Sequence, residues 1–155
     1  MKTLKFGGTS VANAQNIKLV IEIVSQKAKT EKLAVVVSAL SGITDTLINA
    51  AQKAASKDES YKNSIEEIKQ KHFDAIGQLV DQANQNQLLI KINNQINQLQ
   101  TLLDGCFLLG ELSPRTADAV AGFGELLSSQ IIATALQQTL PNSSFKDSRE
   151  LIKTN

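Results

Sequence analysis

The chain has 155 residues, 42% hydrophobic and 20% charged, which is enough for one domain with a real core. A formal net charge of +1 removes the electrostatic case for nucleic acid or a membrane surface, and 4% aromatics without a tryptophan argue against base-stacking platforms. One cysteine and one histidine exclude an intrachain disulfide framework, speak against any His/Cys metal site and fit a reducing, cytoplasmic compartment.

Residues 2–6 read as a strand that starts without the pattern of a signal peptide. Gly7-Gly8 ends it, within Lys5-Phe6-Gly7-Gly8-Thr9-Ser10. A lysine, two glycines and two hydroxyls in six residues have the chemistry of a phosphate site. Glycines let backbone N–H groups approach an anion, and the lysine supplies a full charge that can follow a moving phosphoryl group. The lysine precedes the glycines, so this is neither a P-loop nor a dinucleotide fingerprint. Ser10 or Asn13 can cap the next helix, whose apolar Ile17, Val20, Ile21 and Val24 recur at helical spacing. The continuous apolar run 33–37 predicts a strand buried on both faces, as in a parallel sheet. Strand, helix and strand then form a βαβ unit. Open α/β sheets bind ligands beyond the carboxyl ends of their strands, so loops 7–10 and 38–44 should lie side by side. In the second loop Ser38 and Thr44 carry hydroxyls able to donate to a carboxylate or phosphate; Thr44 or Asp45 can equally serve as a helix cap.

A helix is predicted over about 44–55, and an all-helical stretch over 61–109. The second half of that stretch is rich in Gln and Asn, but the apolar spacing of Leu88, Leu89, Ile92, Ile96, Leu99, Leu102 and Leu103 persists through it on one face and favours a solvated helical face over disorder. His72 stands among charged residues and is expected on a solvated face, and Cys106 as a small buried hydrophobe. Glu111 and Arg115, four apart, suit an ordinary ion pair or a helix-start contact. Ser113-Pro114 opens a helix over about 115–138. Gly122 and Gly124 weaken it by roughly 1 kcal/mol each, a cost that points to a close backbone approach or a ligand. Beside them Glu125 is expected as a partly buried carboxylate that needs a cation, such as a substrate amino group; without the glycines a solvated glutamate would be the default. Residues 143–146 read as a short strand, and 147–152 as the start of another element. No apolar run is expected to reach the length of a membrane span.

Together these motifs resemble the aspartate kinases of the amino-acid kinase family. Residues 5–12 (KFGGTSVA) look like the family's opening motif, 36–44 (VVSALSGIT) is similar to its second, and 124–128 (GELLS) to its third. Residues 145–149 (FKDSR) are similar to the strand and turn that precede the family's second half. Residues 108–116 (LLGELSPRT) and Ala12-Asn13-Ala14 look like the kinase portion of bifunctional aspartokinase/homoserine dehydrogenases. The resemblance implies a three-layer αβα fold with a parallel sheet core and a helical insertion at about 58–110. The 155 residues would form its N-terminal part, leaving open sheet edges that a homo-oligomer could cover. It further implies transfer of the ATP γ-phosphoryl group to the β-carboxylate of L-aspartate, with Mg2+ bridging phosphates. Lys5 would stabilise the transferring group, and Gly7, Gly8, Thr9 and Ser10 would line its path. Ser38 and Thr44 would contact aspartate, and Glu125 its α-amino group. The adenine and ribose pocket would come from the family's second half, so the fragment alone would be inactive.

Overall fold

The computed structural model describes residues 1–152. β1 (Lys2–Phe6) and β2 (Leu33–Val37) pair in parallel from Lys2 opposite Leu33 to Phe6 opposite Val37, joined through α1 (Ala14–Lys27). Asn13 caps α1 by accepting the Asn16 amide at 2.9 Å. α2 (Ile43–Ala55), α3 (Tyr61–Leu79) and α4 (Gln82–Leu109) pack on one another, α5 (Pro114–Ala121) leads into α6 (Phe123–Gln137), and a short α7 (Ser148–Leu151) follows. α6 is the hub. It touches β2 and α1 on one side and α2, α3, α4 and α5 on the other, which explains why it is apolar almost all round.

The sheet departs from the expected double burial. No β2 residue is fully buried, and Val36 is 48% exposed. Leu4, Phe6, Leu33, Val35 and Val37 pack toward the core, while Lys5 and its partner Val36 are exposed. Alternation sends neighbouring residues to opposite faces, and among the described residues no layer covers the second face. Residues 143–146 form no ladder either. A turn closed by Ser143 N–H on the Leu140 carbonyl leads into them, and residues 142–146 border a groove of about 630 Å³ between α1, β2 and α6.

The predicted stretch 61–109 is two helices, α3 and α4. Val80 and Asp81 turn extended with no glycine or proline at the corner itself, and the corner is held from a distance. The Gln138 amide donates to the Leu79 carbonyl at 3.0 Å and accepts the Asp81 N–H at 2.6 Å. Tyr61, buried, donates to Asp104 at 2.6 Å and ties the start of α3 to α4; burial and the Asp104 hydrogen bond push its phenol up to about 12. α4 buries Leu88, Ile92, Ile96, Leu99 and Leu103 and exposes Asn86, Gln87, Asn94, Asn97 and Gln98, so the Gln/Asn-rich sequence is the wet side of a helix; of the other two leucines expected on the apolar face, Leu89 is only partly buried and Leu102 is exposed. Cys106 is buried as expected, and burial raises its thiol.

His72 corrects the expectation of a solvated face. It is 0% exposed, because it falls on the stripe of Ile65, Ile68, Ala75, Ile76 and Leu79 that α3 turns inward. Glu111 and Arg115 form no ion pair among the described residues; the start of α5 is closed instead by Ser113, whose hydroxyl accepts the Thr116 amide at 3.1 Å. Pro114–Gln137 is, against expectation, long and apolar enough by composition to span a membrane: it has 24 residues, and its most apolar 18-residue window has a mean hydropathy of 1.4. More than half of its most apolar window is buried inside the protein, and Gly122 divides it into α5 and α6.

Candidate functional site

The first loop leaves β1 after Phe6 and is closed on itself. The Gly7 carbonyl accepts Ser10 N–H at 2.9 Å and Val11 N–H at 3.3 Å, and the Asn16 side chain donates to the Thr9 carbonyl at 2.8 Å. Val11, 0% exposed, anchors the far end. α1 begins only at Ala14, so three residues separate Ser10 from the helix. A Cβ on Gly7 would meet nothing within 4 Å, and one on Gly8 only the Ser38 hydroxyl at 3.9 Å and the Ala39 carbonyl at 4.0 Å. Neither glycine has a positive φ. Protein packing therefore does not demand glycine here, and the space in front of Gly7 is open. Lys5 is exposed at the preceding strand end and makes no ion pair or side-chain hydrogen bond among the described residues.

The second loop lies directly alongside. Ser38 N–H continues the ladder onto the Phe6 carbonyl at 3.0 Å, which fixes the two loops as neighbours. Ala39 and Leu40, each 3% exposed, plug into the core beneath. Gly42 then turns left-handed, with φ 77°, and α2 starts at Ile43. Gly42 is the N-cap and offers no side chain; Thr44 and Asp45 sit inside the first turn, so the capping role open to them in the sequence is not the one they take.

α6 closes the site from above. A Cβ on Gly124 would stand 2.8 Å from the Ala39 Cβ, with Ile43 and Leu47 at 3.5 and 3.4 Å, so the close approach anticipated from the paired glycines is real. One turn on, the Ser128 hydroxyl donates to the Ser38 carbonyl at 2.7 Å. The third motif is thus bolted to the second loop at both of its ends. Gly124→Ala is expected to cost about 2 kcal/mol, because overpacking against a rigid Cβ exceeds the helix-propensity gain. Urea denaturation would read this, and an unchanged midpoint would refute it. Glu125, between these anchors, is exposed rather than partly buried: Gly124 and Leu126 to Ser128 face inward and leave position 125 outside.

The structure brings loops 7–10 and 38–44 and the start of α6 into one cluster at the carboxyl end of the sheet. Sequence reasoning missed Lys71, half-buried on α3, whose ammonium donates to the Ser41 carbonyl. It also gave no role to Ser128. The small-residue spacing Gly124-x-x-x-Ser128 was a signal for the latter; nothing local signals the former. The described residues contain no group of three His, Cys, Asp or Glu side chains able to hold a metal.

Residues 2–153 match the amino acid kinase family. The chain is 34% identical over 151 residues to bifunctional aspartokinase/homoserine dehydrogenase 2, chloroplastic, of Arabidopsis thaliana, covering 97% of this chain and 16% of that protein. It is 31% identical over 140 residues to the aspartokinase of Candida albicans, covering 86% of this chain and 25% of that one. In structure it is similar to E. coli aspartokinase III in complex with aspartate and ADP, with a TM-score of 0.76 and 25% identity over 89% of this chain and 29% of that chain. The chain thus spans about a sixth of the bifunctional relative and under a third of the two aspartokinases.

Proposed function

The chain belongs to the amino acid kinase family, and on that premise we propose that its 155 residues are the N-terminal part of an aspartate kinase catalytic domain. The reaction is transfer of the ATP γ-phosphoryl group to the β-carboxylate of L-aspartate, giving 4-phospho-L-aspartate on the way to lysine, threonine and methionine. The observation that carries this is the juxtaposition of the Gly7–Gly8 turn with the Ser38 loop, locked by the Ser38 to Phe6 ladder bond and by α6.

In this proposal a β-carboxylate oxygen of aspartate attacks the γ-phosphorus, the new O–P bond forms, and the bond to the bridging oxygen breaks to release ADP. The carboxylate is already ionised at neutral pH, so no general base is needed. What the protein supplies is alignment and charge. Lys5, an ammonium without an ion-pair partner among the described residues, neutralises charge on the phosphoryl group. Gly7, Gly8, Thr9 and Ser10 present the open backbone along its path. Ser38 and Thr44 hold aspartate, and Glu125, exposed at the start of α6, receives its α-amino group. Magnesium would enter with the nucleotide, where it would offset phosphate charge; the described residues build no ligand set of their own. A reducing, cytoplasmic setting and a homo-oligomer that covers the open sheet face belong to the same proposal, supported by the lone buried Cys106 and by exposed Val36.

The alternative is a catalytically inactive fragment that keeps only the aspartate half-site, favoured by the small share of each relative that the chain spans. Two measurements decide. The full-length protein should release ADP in a manner that depends on aspartate and not on glutamate; no such dependence would refute the activity. Calorimetry on the 155 residues should show aspartate binding without Mg-ATP binding, and tight Mg-ATP binding would contradict the half-site view.

A further inference from the structure

We propose that Lys71 is the positioning residue of the acceptor loop; this rests on the reading of residues 38–44 as the segment that faces aspartate. α3 packs against α2 and reaches the loop that precedes it. The Lys71 ammonium donates to the Ser41 carbonyl, 30 residues earlier in the chain. No backbone N–H among the described residues takes up that carbonyl. Gly42, the next residue, is left-handed, and a Cβ on it would lie 4.0 Å from Lys71 Nζ. A side chain there would meet backbone strain, while the ammonium lies at ordinary van der Waals distance.

The loop is therefore held at two points. Its start is fixed by Ser128 on the Ser38 carbonyl, and its exposed tip by Lys71 on the Ser41 carbonyl. Between them Ala39 and Leu40 are sunk in the core, and Thr44 follows two residues after Gly42. The base of Lys71 is set in the core by its neighbour. His72, the next residue, is 0% exposed, with Nδ1 2.6 Å from the Ile68 carbonyl, so α3 cannot rotate without expelling it. No carboxylate among the described residues pairs with Lys71, which leaves its charge to the loop. Lys71 acts through Ser41 on the spacing of Ser38 and Thr44, and the two-helix insertion becomes a part of the acceptor site.

The test is steady-state kinetics of the full-length protein. Lys71→Met should raise KM for aspartate roughly tenfold, the loss of one charge-assisted hydrogen bond. KM for Mg-ATP should stay unchanged and Tm should fall only slightly, since the Lys71 to Ser41 bond is present without aspartate, and Lys71→Arg, which can still donate to the carbonyl, should restore most of the affinity. An unchanged aspartate KM, or an equal rise in both KM values, overturns the proposal. Should Lys71→Met not fold, Lys71→Gln must show the same split in smaller measure, and no split overturns it as well. A wild-type protein without aspartate-dependent ADP release would instead remove the acceptor-loop reading before any variant is made.

Discussion

Replacing Lys5 with alanine in the full-length protein is expected to lower kcat by roughly 10³-fold and leave the fold intact, the loss typical of one preorganised charge aimed at a developing negative centre. The structure explains why the two effects should separate. Lys5 sits on the exposed face of β1 opposite Val36, and among the described residues its ammonium supports no ion pair or hydrogen bond. Truncating it removes no buried contact, so stability should move by no more than about 0.5 kcal/mol. A charge that no described residue neutralises, next to a glycine turn, becomes useful when an anion arrives. The check is single-turnover phosphoryl transfer alongside thermal unfolding. Near-normal turnover in the alanine variant would remove Lys5 from the mechanism, and a collapsed Tm would make it structural.

The second large effect concerns acid. His72 is fully enclosed, with Nδ1 at the Ile68 carbonyl and Nε2 without a partner among the described residues, and burial, the main cause, pushes it down to about 4. In the unfolded chain the imidazole titrates near pH 6.5. The folded pKa is the lower one, so the unfolded state binds more protons once pH falls below 6.5, and stability is lost from there down to the folded pKa. Integrated over that window the loss is about 3 kcal/mol for this one group. Above pH 7 the residue contributes no pH dependence. Urea midpoints at pH 7.0, 5.5 and 4.5 should therefore fall steeply in the wild type and less so in His72→Leu, which also removes the orphaned Nε2. Parallel curves for the two proteins would mean that His72 does not carry the acid sensitivity.

Much of the frame was legible. The apolar run 33–37, the Asn13 cap and the 3.6-residue spacing of Leu88 to Leu103 each state a local preference that the fold honours. His72 was misjudged from its sequence neighbours Lys69, Lys71 and Asp74, although helical periodicity aligned it with Ile68 and Ile76; spacing outranks immediate neighbours on a helix. The corner at Val80–Asp81 carried only the weak signal of an Asp at the N-cap of α4, because the groups that satisfy its backbone belong to Gln138. Residues 143–146 had the composition of a strand but gain no ladder among the described residues, and a strand exists only through its partner. Glu125 shows the same limit: an apolar neighbourhood in sequence does not bury a residue that the helix turns outward.

By itself the sequence determined which chemistry is present and where the chain must place it: a lysine and two glycines at one strand end, hydroxyls at the next, and a glycine-softened helix start. These follow from φ/ψ preference and periodicity, which operate over a few residues. Only the tertiary structure decided that Gly124 presses on Ala39, that Ser128 holds Ser38 from 90 residues away, and that Lys71 reaches Ser41. Those contacts depend on how helices settle against one another when the core closes, which no local propensity encodes.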